Sequence, residues 1–224
     1  LWVDTPAVKA LGRGPGFSIE CWVRPLSWSV PQPVVEWWDP TIGVGPHLWL
    51  FPNGELYVNL IDTSGGAHSM SAHIPTLGTG FQHIAMTYDA VTGVGKLYGS
   101  GELLLTTALG SLTPRTSGQM YIGRRVLSAG NPSVFNGELD ELNVYSGAID
   151  AQQVHAIFAA GTHGYCNLWA LPIEIVTQPL SQQVVDGAPV TFSVETRVGL
   201  PSGYQWRKDG YTIPGATNAT YRIP

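Results

Sequence analysis

Apolar residues in this chain come in short runs of alternating polarity, and almost every run is closed by Gly, Pro, Asn or Asp. That pattern restricts the fold more than any other feature. A period of two places successive side chains on opposite faces of an extended strand, whereas a helix needs a period near 3.6. Phe17-Ser-Ile-Glu-Cys-Trp-Val23 shows it most clearly. Phe17, Ile19, Cys21 and Val23 face one way, Ser18, Glu20 and Trp22 face the other, and Pro25 ends the run. Similar runs read over residues 34–38, 47–51, 55–61, 82–88, 95–98, 103–105, 119–122 and 138–145, and Leu1 to Asp4 also reads as a strand. Asn53-Gly54 between two apolar runs is a strong hairpin signal. Strands recurring every 8 to 12 residues or so, with turns between, predict an all-β sandwich or barrel.

A single helix is expected to interrupt the strands. Asp150 is a good N-cap, and Gln153 three residues on completes a capping box. Val154, Ile157 and Phe158 share one face, and Gly161 stands where a C′ glycine belongs. From Thr162 to Pro172 no period is sustained, which marks a boundary. A second alternating series then reads over 173–177, 184–185, 190–196, 204–208 and 220–223, punctuated by Asp186-Gly187 and Asp209-Gly210.

Composition narrows the function. Charged residues make up only 12% of the chain, about half the usual share, against 27 Gly, 17 Pro and 8 Trp. A net charge of -5 with no Lys/Arg run longer than two argues against a nucleic-acid partner. No apolar stretch approaches the roughly 18 residues that a membrane-spanning helix requires. Two cysteines are present, Cys21 and Cys166, neither in a C-x-x-C. They are either separate buried thiols or one disulfide, whose long loop would contribute roughly 4 kcal/mol in the chain-entropy model.

Four motifs in order resemble the concanavalin A-like, laminin G-type family: Phe17-Ser-Ile-Glu-Cys-Trp-Val-Arg-Pro25, Phe81-Gln-His-Ile-Ala-Met-Thr-Tyr-Asp89, Met120-Tyr-Ile-Gly-Arg124 and Phe135-Asn-Gly-Glu-Leu-Asp-Glu-Leu-Asn-Val-Tyr145. The helix from Ala151 to Gly161 fits that family's C-terminal segment. Gly99-Ser100-Gly101 departs from its usual V-D-G, and Phe81 stands in place of a Trp. The segment Pro172 to Pro224 resembles a bacterial immunoglobulin-like module, with Trp206 as its expected core tryptophan and no strands corresponding to its last two. The resemblances imply a jelly-roll sandwich over residues 1–165, a linker at 166–172 and a partial immunoglobulin-like sandwich over 173–224, secreted or at a cell surface as part of a larger multidomain bacterial protein. The family's first strand is expected to be missing or truncated ahead of Leu1.

The laminin G-type resemblance also implies a structural calcium ion, for which Asp140 is the first candidate and Asp4 the second, since calcium prefers hard oxygen ligands. Enzymatic readings find no support. There is no E-x-D-x-E run on one strand face, no G-x-S-x-G, no H-E-x-x-H and no phosphate loop. His68 and His73 sit in a Gly/Ser/Ala-rich stretch read as a loop, where solvent-exposed histidines are the plain expectation and zinc the remote one. Sugar recognition needs exposed rings beside polar groups. Trp28 in a loop, Trp37 and Trp38 in a strand that must turn one ring outward, and Trp49 beside His47 are the candidates, although Trp22, Trp49 and one of the Trp37/Trp38 pair are expected in the core.

Three functions therefore stay open. The chain is a non-catalytic recognition or adhesion module for a glycan or cell-surface polymer, a structural spacer packing against neighbouring protein chains in an assembly, or an accessory domain of a glycoside hydrolase. Low charge and many aromatics suit the second as well as the first, because the centres of permanent protein contacts are depleted of charge.

Overall fold

The computed structural model describes residues 1–75, 78–126, 133–161, 174–185, 187–197 and 204–224. The chain divides into two compact units, Leu1–Ala159 and Ala160–Pro224.

In the first unit the strands are β1 (Trp2–Val3), β2 (Gly16–Pro25), β3 (Gln32–Asp39), β4 (Gly43–Phe51), β5 (Glu55–Ile61), β6 (Ala67–His73), β7 (Gln82–Asp89), β8 (Val94–Gly99), β9 (Glu102–Ala108), β10 (Gln119–Ile122), β11 (Arg124–Arg125), β12 (Ser133–Val134) and β13 (Gly137–Tyr145). They form a six-stranded sheet in the order β1-β10-β3-β4-β5-β6 and a five-stranded sheet in the order β13-β2-β7-β8-β9, both antiparallel throughout. A short β11–β12 ribbon is hydrogen-bonded into neither sheet and lies beside β3. The crossovers between distant strands are those of a jelly-roll sandwich, as the laminin G-type resemblance implies.

The alternation explains the core. Phe17, Ile19, Cys21 and Val23 from β2 are fully buried and meet Val35, Trp37, Leu48, Leu50, Leu56 and Val58 from the other sheet. Phe17 and Trp37 make an edge-to-face contact at 5.6 Å across that interface. At the tight turn between β4 and β5, Asn53 (φ 62°) and Gly54 (φ 79°) both adopt the left-handed region that the Asn-Gly pair predicts.

Two elements depart from the sequence reading. A second short helix, α1 (Pro6–Ala10), follows β1; Thr5 caps it by accepting the Val8 amide at 3.3 Å, and Pro6 stands at its first turn. A helix this short carries too little periodicity to be read from pattern alone. The stretch holding His68 and His73 is not a loop but strand β6, paired with β5 from Glu55↔His73 to Ile61↔Ala67. Its small residues hide the alternation, and only Met70 is buried.

Helix α2 (Ala151–Ala160) forms as its capping box requires: the Asp150 carboxylate accepts the Gln153 amide at 2.8 Å, and the Gln153 side chain accepts the Asp150 amide at 2.8 Å. It covers the outward face of the five-stranded sheet, where Val154 packs with Ala85 and Tyr98. Phe158 stacks on Trp22 at 5.8 Å. Ser18 and Glu20, the polar side of the β2 alternation, are buried on this face too. Glu20 accepts from His83 Nε2 at 3.1 Å and Asn143 Nδ2 at 2.7 Å.

The second unit contributes β14 (Glu174–Thr177), β15 (Val190–Ser193), β16 (Glu195–Arg197), β17 (Arg207–Lys208), β18 (Tyr211–Thr212) and β19 (Thr220–Ile223), paired β14–β16, β15–β19 and β17–β18. Trp206 is half-buried rather than fully enclosed; it lies 6.0 Å from Tyr221 and 6.3 Å from Phe192, and its indole N–H donates to the Asn218 carbonyl at 2.9 Å. Asp209 and Gly210 both have positive φ in the β17–β18 turn. Residues 184–185, expected as a strand, belong to none. Cys166, Asp186 and the expected linker at 166–172 lie outside the described residues.

Candidate functional site

The two sheets treat their outward faces differently. The five-stranded sheet lies under α2, whereas the six-stranded sheet meets α1 near its β1–β10 edge, and its outward positions are rich in rings. Registers line up one row across all six strands: Trp2, Tyr121, Glu36, His47, Asn59 and Ser69 are successive cross-strand partners. A second row runs through Pro33, Trp49, Tyr57 and Ser71. Because the core takes Val35, Trp37, Leu48, Leu50, Leu56 and Val58, the alternating residues between them must face outward.

At the centre stands Glu36, only 1% exposed. Arg125, from the short ribbon beside β3, donates through Nε to both carboxylate oxygens (3.0 and 2.9 Å) and through Nη2 to Oε2. The Trp49 indole N–H adds a third donor group at 3.2 Å. The guanidinium carbon also lies 4.5 Å from the Trp49 ring centroid, a cation–π contact. Arg125 thus roofs Trp49 and neutralises Glu36 at once.

Beside this pair the rings form a continuous band. Trp49 to Phe51 is 6.4 Å, Phe51 to Tyr57 5.1 Å and His47 to Tyr57 6.0 Å, and both Phe51 and Tyr57 are half-buried. Trp38 is half-buried on the same sheet, and Trp2 is 54% exposed at its edge. Asn59, Ser69 and Ser71 supply hydrogen-bonding groups beside the rings. Half-exposed aromatic faces flanked by such groups can stack on apolar surfaces of a ligand while orienting its hydroxyls.

The sequence candidates separate accordingly. Trp38 and Trp49 lie on the outward face, Trp49 beneath Arg125. Trp37 is fully buried in the core and cannot touch a ligand, since strand alternation turns it inward when Glu36 and Trp38 turn out. Trp28 is also not on this face: it packs half-buried against the core, and its carbonyl accepts the Asn53 amide at 3.3 Å. Cys21 is a free, fully buried thiol whose ionisation is pushed well up by burial. Arg125, Glu36, Tyr57 and Phe51 escaped the sequence reading. One signal for Glu36 was available, an acid inside an otherwise apolar run that also holds two tryptophans.

The two calcium candidates lie at the edges of different sheets, Asp140 in β13 and Asp4 just after β1. Asp140, exposed in β13 beside a bulge, accepts the Glu141 amide at 2.9 Å. Asp4 pairs with Lys9 at 2.6 Å, and that hydrogen bond, with a second from Gln119, holds its carboxyl below the usual range. Among the described residues, no group of three or more His, Cys, Asp or Glu side chains is placed to hold a metal ion. A calcium shell needs six to eight oxygens, and single carboxylates already engaged by protein donors fit it poorly.

Burial lowers the tendency of His47 to take a proton, overcoming the opposing pull of the Gly45 carbonyl and the Glu36 charge. Below the ordinary histidine pKa of about 6.5, the unfolded chain therefore binds the proton that folded His47 refuses, so stability falls as the pH drops through that value. Urea melts at several pH values between about 7.5 and 5.5 are expected to show this slope, flattened in His47→Asn. An unchanged slope in the variant would remove His47 as its source.

Solved structures that share the fold include the following three. The Ruminococcus gnavus IT-sialidase CBM40 bound to alpha2,3 sialyllactose superposes with a TM-score of 0.57 at 18% identity, covering 69% of this chain and 88% of that one. The same module bound to alpha2,6 sialyllactose gives 0.57 at 16%, covering 68% and 88%. A native heptameric SAP-like pentraxin from Limulus polyphemus gives 0.52 at 15%, covering 66% and 71%. No curated protein is significantly similar in sequence. A laminin G-type family model, described as Concanavalin A-like lectin/glucanases superfamily, matches residues 2–155. With the sandwich topology and that match in agreement over more than half its length, the chain belongs to the concanavalin A-like lectin/glucanase superfamily.

Proposed function

We propose that the first unit is a non-catalytic glycan-recognition module of a secreted or cell-surface protein, with its ligand lying on the outward face of the six-stranded sheet. One observation carries this reading: α2 covers the outward face of one sheet, while the opposite outward face presents a band of half-exposed rings flanked by Asn59, Ser69 and Ser71. The superfamily includes both lectins and glucanases by description, so catalysis must be weighed. A glycosidase needs two carboxylates free to move protons or attack carbon. Glu36, the central carboxylate of this face, is held by Arg125 and the Trp49 indole and is nearly inaccessible, which suits binding and not acid–base work. The immunoglobulin-like reading of residues 173–224 is part of the same proposal, as a spacer; Trp206 stacked on Tyr221 supports it.

A glycan array followed by titration calorimetry tests the module. Saturable binding is expected, weakened at least tenfold in Trp38→Ala and in Tyr57→Ala with melting temperatures close to the parent. Binding unaffected by both variants would move the site off this face. A second reading, packing against another protein chain, draws on the exposed apolar side chains Leu26, Val30 and Val134 around one rim, where the Leu26 amide donates to the Asn136 carbonyl and Ser133 donates to the Pro31 carbonyl. Absence of any glycan binding would favour that reading. The structural calcium ion that the laminin G-type resemblance implies is tested separately: a melting temperature lowered by chelator would establish the ion against the poor fit of Asp140 and Asp4, and an unmoved transition removes it.

A further inference from the structure

Charge on the outward face is distributed in a way that bears on ligand class. The six strands of that sheet contain no lysine and no arginine. Their carboxylates are Glu36, Asp39 and Glu55, and their histidines are His47, His68 and His73. The guanidinium laid over the face comes from outside the sheet, on Arg125, and its Nε and Nη2 are turned down onto Glu36. Because Glu36 is 1% exposed, it cannot exchange Arg125 for water without leaving a buried charge alone. His47, opposite Glu36 in the register, is kept neutral at pH 7 by burial. The other arginines near the sheet are committed or turned away: Arg115 donates to the Val44 carbonyl, and Arg124 precedes Arg125 in a strand, so its side chain points to the opposite side. Residues 126–132, which link the two strands of the ribbon, contain no charged residue.

Among the described residues, a carboxylate or sulfate on a sugar would therefore meet no free cation here. It would meet an ion pair already satisfied within the protein. Rings and neutral hydrogen-bonding groups make up the rest of the surface. Resting on the glycan reading above, we infer that this face selects uncharged sugars and discriminates against acidic ones, the Glu36–Arg125 pair acting as the element that withholds the guanidinium from an anionic ligand.

The test uses the full chain and two sets of probes. Cello-, malto-, xylo- and N-acetylated chito-oligosaccharides of six units represent neutral glycans. Sialyllactose (both linkages) and oligogalacturonate represent acidic ones. Titration calorimetry at about 50 and 500 mM NaCl is expected to find a neutral ligand whose affinity changes less than twofold with salt, since no charge is screened. Acidic probes should bind at least tenfold more weakly than the best neutral one. Glu36→Gln removes the carboxylate charge while keeping an acceptor for Trp49, so it should raise affinity for an acidic probe severalfold at low salt and lose that gain at high salt.

An acidic probe bound by the parent protein as tightly as any neutral one, with affinity that falls in high salt and disappears in Arg125→Ala, overturns the selectivity and leaves glycan recognition standing. Failure of every probe overturns glycan recognition and the selectivity with it. Should Glu36→Gln fail to fold, the salt comparison on the unaltered protein decides between neutral and acidic ligands without it.

Discussion

Trp37→Ala is expected to lower the unfolding free energy by about 3–5 kcal/mol, while Trp38→Ala, one residue away, changes it by less than about 1 kcal/mol. The two rings share a strand and differ only in which face they take. Trp37 is fully buried among residues of both sheets and meets Phe17 edge to face at 5.6 Å. Its removal opens a cavity at the centre of the sandwich, where close packing leaves neighbours little freedom to collapse. The indole Nε1 has no hydrogen-bond partner among the described residues, so truncation breaks no polar contact and the loss is one of packing. Trp38 stands on the outward face, half-exposed, and a smaller residue there is replaced by water. Urea denaturation of both variants measures the split. Equal losses would mean that Trp38 is a core residue, and the ligand face would lose one of its main rings. A large loss of glycan affinity confined to Trp38→Ala, with a large loss of stability confined to Trp37→Ala, separates recognition from folding on adjacent residues.

That pair also shows what the sequence makes legible. Alternation requires one of two adjacent tryptophans in a strand to face outward, and this follows from the pleat alone. Which one turns inward depends on register against β4 and β10. Trp37 lies opposite Met120, a core residue, and Trp38 opposite Gln119. The strand series, the Asn53-Gly54 turn and the capping box of α2 were readable because each is set by residues within a few positions of one another. Strand β6 was not, since its alternation runs through Ala, Ser and His with only Met70 to mark the core side. The candidate face was legible only in part. Trp38 and Trp49 could be suspected from residue type, but the bond joining Glu36 to Arg125 spans 89 positions and depends on how a two-residue strand lies against β3. Glu20 carries the same lesson: its place in the alternation says outward, but it is buried with His83, Asn143 and Tyr145, all more than sixty residues later, as its partners.

Removing Arg125 is expected to destabilise the protein more than neutralising its partner. Arg125→Met leaves the Glu36 carboxylate in a site 1% exposed with only the Trp49 indole as donor, and breaking a buried pair from this side costs about 3 kcal/mol, near the lower end of the usual range because the arginine side chain is itself 22% exposed. Glu36→Gln leaves the guanidinium, which can turn its exposed edge to water, and keeps an oxygen for the indole; its loss should be about 1 kcal/mol. In the double variant the buried charge is gone along with its counter-ion, so the loss should fall below the sum of the two by about 1–3 kcal/mol. Chemical denaturation of the four proteins closes this cycle. Additive losses would show that the pair contributes no coupling and that Arg125 stabilises only by packing over Trp49. Raising the salt concentration sharpens the distinction: screening reaches an exposed ion pair and spares one sealed from solvent, so the coupling should persist at about 500 mM NaCl. Arg125→Met also exposes the Trp49 ring without adding charge to it, and a neutral ligand that stacks on this face should then bind no more weakly than before, whereas a ligand held by the guanidinium would be lost.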